Sequence, residues 1–113
     1  MRIIINTPNY KFGTDLKKSA PVGISVMVGY QAAFSPDAPD VPAVALMGFN
    51  KAKPADVSKE HFVAWLLSET TKDERCTLSY GGVRIEKQES AFGQIFDEMV
   101  RRKNEKPNPE DEA

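Results

Sequence analysis

The chain has 113 residues, of which 41 % are hydrophobic and 27 % charged, with a formal net charge of −1. That is enough for one domain and one core, with no room for a second, and the near-neutral balance gives no global pull toward nucleic acid or an anionic membrane. Cys76 is the only cysteine, which excludes an intramolecular disulfide.

Arg2 to Asn6 predicts a short strand, because three consecutive isoleucines suit a pleated, buried setting. The apolar run of these isoleucines is too short for a secretory leader, and together with the single thiol this points to a cytoplasmic setting. Residues 7–21 contain Pro8, Gly13, Pro21 and the pair Lys17-Lys18 without obvious periodicity, and read as a long loop. From Val22 to Tyr30 the chain alternates, placing Val22, Ile24, Val26, Val28 and Tyr30 on one face of a strand. Residues 31–42 are a second long loop, because Pro36, Pro39 and Pro42 remove donors and forbid helix. Val41 to Phe49 resumes as a strand able to pair with 22–30. It is also the longest mostly apolar stretch, far short of the roughly 20 residues a membrane helix needs.

Asp56 or Ser58 caps a helix running from Lys59 to Glu69, and its continuous apolar residues Phe62, Val63, Trp65, Leu66 and Leu67 predict cover on much of its surface. Thr70 to Arg75 connects to a hairpin. There Gly81-Gly82 supplies the two positive-φ positions of a type I′ turn, pairing Tyr80 with Val83 and Leu78 with Ile85. Ser90 is read as the cap of a last helix whose Phe92, Ile95, Phe96, Met99 and Val100 follow an i, i+3, i+4, i+7, i+8 stripe. Arg101, Arg102 and Lys103 complement its dipole. Residues 105–113, with Glu105, Glu110, Asp111 and Glu112 beside prolines, read as a disordered acidic tail after a single domain over 1–104. The expected class is α+β: a mostly antiparallel sheet of about five strands, with two helices on one face, in the order β-ββ-α-ββ-α.

No residue pattern assembles a catalytic or metal site, and no cofactor is expected. His61 is the only histidine, and one histidine with one cysteine is too few for a zinc site. Asp37 and Asp40 lack the spacing of a calcium loop, and Gly81-Gly82 lacks that of a phosphate loop. Cys76 opens a strand and reads as a small packing residue; Asp97 and Glu98 read as surface charges beside the last stripe.

One pattern stands out. Residues 1–53 carry six basic groups against three acids, and residues 54–113 carry nine against thirteen. In the basic half, aromatic rings interleave with ammonium groups: Tyr10-Lys11-Phe12, Lys17-Lys18, Tyr30, Phe34 and Phe49-Asn50-Lys51-Ala52-Lys53. Tyr10, Lys11, Phe12, Lys17, Lys18, Lys51 and Lys53 are therefore the candidate binding residues. The leading expectation is a small non-enzymatic binding protein, an inhibitor or adaptor of the phage- or plasmid-antagonist kind. Its partner would be a larger protein, met by a functional loop or by an acidic half that mimics nucleic acid. A single-stranded nucleic-acid binder using stacked rings and lysines is the second reading. An enzyme built on His61 or a carboxylate pair is the third. No membrane partner is expected; a dimer is compatible with the sequence.

Overall fold

The computed structural model describes residues 3–31, 41–49 and 58–104. In chain order the elements are β1 (Ile3–Asn6), α1 (Tyr10–Ser19), β2 (Ile24–Tyr30), β3 (Pro42–Phe49), α2 (Lys59–Thr71), β4 (Thr77–Tyr80), β5 (Val83–Ile85) and α3 (Glu89–Asn104). The five strands form one sheet in the order β2-β3-β1-β4-β5, antiparallel throughout. The expected α+β class holds, with three helices among the described residues where two were expected.

The added helix is α1, which lies across what the sequence presents as the loop 7–21. Asn9 caps it: its side-chain oxygen accepts from Phe12 N–H at 2.7 Å. Phe12, Leu16 and Ala20 then recur at four-residue spacing and turn inward, with Leu16 fully buried and the other two packed on the core. Gly13, which reads as a loop residue in sequence, sits in the contact itself. A Cβ there would come within 3.1 Å of Val28 Cγ1 and 3.2 Å of Val44 Cγ2, so the missing side chain lets α1 lie close on the sheet.

With α1 in place, β1-α1-β2 and β3-α2-β4 are two βαβ units, each with a strand of the other between its own two strands. This is the split βαβ topology. The β4–β5 hairpin and α3 extend it at one end. Ile3 and Ile5 of β1 lie at the centre of the sheet, opposite Leu46 and Val44 on one side and Tyr80 and Leu78 on the other. Those side chains face one buried cluster with Phe62, Trp65 and Leu66 of α2 and Phe92, Ile95, Phe96 and Met99 of α3. The central strands are hydrophobic toward the helices; across the opposite face run Met27, Ala45, Ile4 and Ser79, by the alternation of the registers.

Several local expectations shift. Val22 is 91 % exposed and lies before β2, which follows a turn at Gly23 with φ 99°. Ser58 is the cap of α2, and the helix continues two residues past Glu69 to Thr71. Its buried set is Phe62, Trp65, Leu66 and Thr70, a defined stripe with His61, Ala64 and Ser68 exposed, so cover is one-sided. Thr70 is tolerated inside because its hydroxyl donates to Leu66 O at 2.6 Å. Ser90 lies within the first turn of α3, which begins at Glu89; Phe92 N–H reaches back to Gln88 O at 3.1 Å. The hairpin follows the predicted register, with Gly81 at φ 59° and Gly82 at φ 81°. Residues 105–113 and most of the loop 31–42, including Asp37 and Asp40, lie outside the described residues.

Candidate functional site

The described aromatic–basic residues are brought together by α1 and the edge strand β2. The Asn9 cap starts α1 beside the end of β2, so Tyr10 meets Tyr30 with ring centroids 5.8 Å apart and planes tilted by 31°. Both rings stay about half exposed, at 47 % and 46 %. Helical spacing puts Tyr10, Thr14 and Lys17 on one face of α1, and Lys11, Asp15 and Lys18 on the next. Lys11, Lys17 and Lys18 are exposed, and the last two occupy the final turn, where they complement the carbonyl end of the dipole.

Phe12 does not join this surface. It is half-buried and packs on the core, since two positions on from Tyr10 it falls on the inward side of α1. Lys51, Lys53 and Phe34 lie outside the described residues, as does the side chain of Phe49. Tyr30 shares a strand face with Ile24, Val26 and Val28 in the sequence pattern, which by itself suggests the core. It is instead the second half of an exposed aromatic pair.

Four acids in the second half of the chain, Glu69, Asp73, Asp97 and Glu98, pair with neighbouring bases. Lys59 Nζ reaches Asp97 Oδ2 at 2.9 Å, Lys72 Nζ reaches Glu69 Oε1 at 2.8 Å, and Arg75 reaches Asp73 Oδ2 at 2.7 Å. Glu98 accepts from both Arg101 and Arg102. The hydrogen bonds from Arg75 hold the Asp73 carboxyl down at about 2, and those from Arg101 keep Glu98 below the usual range. These exposed pairs add little to stability.

The single thiol is withdrawn from chemistry. Cys76 is fully buried, and burial pushes its pKa up to about 11, so little thiolate forms near neutral pH. Arg75, its neighbour, turns to Asp73 instead. His61 stands exposed in the first turn of α2, where its backbone N–H donates to Ser58 Oγ at 3.3 Å. Among the described residues no three of His, Cys, Asp and Glu come together as metal ligands, and no helix is long and apolar enough to cross a membrane.

A second surface feature escapes the sequence. Between the β4–β5 hairpin and α3 runs a groove of about 500 Å³, lined by Tyr80, Val83, Ile85, Ala91 and Ile95 with polar residues along its rim. The hydroxyl of Tyr80 is buried there without a hydrogen-bond partner. Only the 69 % exposure of Val83, a β-branched residue at a hairpin tip, corresponds to a sequence signal, since a valine beside Gly-Gly has few neighbours to cover it.

The chain was compared with protein-family models, curated proteins and solved structures, and none of them matches it.

Proposed function

We propose that this protein is a non-enzymatic binding protein, an inhibitor or adaptor, that engages a larger protein through the corner of α1 and β2. The observation that carries this reading is the exposed Tyr10–Tyr30 pair flanked by Lys11, Lys17 and Lys18. Tyrosines dominate binding energy at protein interfaces because they bury large area at low entropic cost and keep a polar tip. Lysines around such an anchor steer encounter with an acidic face. The exposed lysines of α1 beside the tyrosine pair favour an acidic partner over the basic one that nucleic-acid mimicry would demand.

The same pair supports a second reading, single-stranded nucleic acid, because a ring with an open face and nearby ammonium groups can stack a base and neutralise a phosphate. One set of variants tests both. Immobilised parent chain should capture a protein partner from native lysate, and Tyr10→Ala with Tyr30→Ala should weaken capture by roughly tenfold to a hundredfold while leaving the fold intact. Labelled oligonucleotides should not bind at moderate salt; a salt-sensitive gel shift abolished by the same variants would establish the nucleic-acid reading instead. Unchanged capture by the tyrosine variants would refute this surface.

A further inference from the structure

We propose that the outer edge of β5 and the groove beside it pair with a second copy of this chain, in one antiparallel register centred on Ile85. No described strand covers that edge. The inference starts from the hairpin. In a two-residue loop the residues flanking the turn, Tyr80 and Val83, exchange backbone hydrogen bonds, and so do Leu78 and Ile85 two positions on. The backbone groups of Arg84 therefore point away from β4, toward the open edge. Glu86 lies one residue past the end of β5, and the proposed pairing extends the same alternation to it.

An added antiparallel strand must pair these outward residues with outward residues of its own. For a second copy this leaves few registers. One sets Arg84 against Arg84 and another sets Glu86 against Glu86; both place like charges directly opposite. The register between them sets Arg84 of one copy against Glu86 of the other, twice, by two-fold symmetry. Self-complementarity of this kind is what an isologous interface requires. Ile85 then lies opposite Ile85 as the close, non-hydrogen-bonded pair, on the side where Val83, Ala91 and Ile95 line the groove. The half-buried Ile85 and the exposed Val83 would both be covered. Glu86 O already accepts from Gln88 N–H at 3.0 Å and keeps a second lone pair for the partner.

The opposite edge offers no such register. β2 contains no charged residue from Ile24 to Tyr30, so pairing there would be indifferent to charge exchange, and the two edges can be told apart.

Sedimentation velocity on the full chain across a wide micromolar range should show a monomer–dimer equilibrium. Arg84→Glu and Glu86→Arg, each alone, set like charges opposite twice per dimer and should weaken association roughly tenfold or more. Both residues are exposed, so circular dichroism should show both variants folded. An equimolar mixture of the two variants restores opposite charges at both positions and should recover the dimer as a heterodimer. A parent chain that stays monomeric throughout would overturn the proposal and leave the edge to a strand of another protein. A dimer that survives both single variants would overturn it in favour of a different interface, as would a mixture that fails to rescue.

Discussion

The indole N–H of Trp65 donates to the hydroxyl of Ser19 at 2.8 Å, joining the middle of α2 to the last residue of α1. Ser19 Oγ in turn donates to Leu16 O at 3.2 Å, so the hydroxyl is held by both of its functions. Trp65 is 7 % exposed, and its N–H has little access to water if that acceptor is lost. Ser19→Ala should cost about 1–2 kcal/mol by urea denaturation, the penalty of a poorly solvated donor. A variant as stable as the parent would show that water replaces the hydroxyl.

Two glycines inside helices should respond to alanine with opposite signs. At Gly93 a new Cβ would meet Lys59 Cε at 3.3 Å, the movable end of a long side chain. The helix preference for alanine, about 1 kcal/mol, should then appear as a gain of about 0.5–1 kcal/mol. At Gly13 the Cβ would meet the methyls of Val28 and Val44 at 3.1 and 3.2 Å, and both belong to stiff β-branched side chains in the sheet. Gly13→Ala should lose about 1–2 kcal/mol net, as α1 is lifted off the sheet. Paired thermal melts of the two variants decide the matter.

Neighbouring rings at the start of α1 should separate cleanly. Tyr10→Ala removes a half-exposed ring and should change stability by no more than about 0.5 kcal/mol. Phe12→Ala removes a ring packed on the core and should cost about 2–4 kcal/mol, somewhat less than for a fully buried phenylalanine. Equal effects in chemical denaturation would contradict the orientation of α1.

Phe96 lies against Phe62 with centroids 5.4 Å apart and is 6 % exposed. Phe96→Ala should cost about 3–5 kcal/mol, a large share of the stability of a chain this size. Native-like stability in the variant would mean that α3 does not close the core.

The buried thiol makes a pH prediction. Folding raises the Cys76 pKa from its ordinary 9.0 to about 11, so the folded state favours the neutral thiol. As pH rises past about 9 the unfolded chain loses this proton first, and stability should fall until about pH 11, where the folded thiol titrates as well. In Cys76→Ser that part of the decline should vanish. Thiol labelling of the parent at pH 8 should be slow without denaturant and fast with it.

Parts of this structure were legible in the residues alone because they are local. Gly81-Gly82 sets the hairpin and its register, and the spacing of Phe92, Ile95, Phe96 and Met99 sets the face of α3; each depends only on nearby φ/ψ preference and period. The α1 helix was not legible, because Gly13 and the nearby prolines are breakers in isolation. Its low helix preference is overridden by a cap at Asn9 and by the close contact with Val28 and Val44 that only glycine permits. The candidate site divides in the same way. Tyr10, Lys11, Lys17 and Lys18 stand out in sequence as rings among ammonium groups. That Tyr30 completes the pair, and that Phe12 leaves it for the core, was decided by the packing of α1 on an edge strand. The placement of β1 between β3 and β4 was likewise decided by tertiary structure, since Ile3 and Ile5 can be buried on both flanks only when strands distant in sequence close around them.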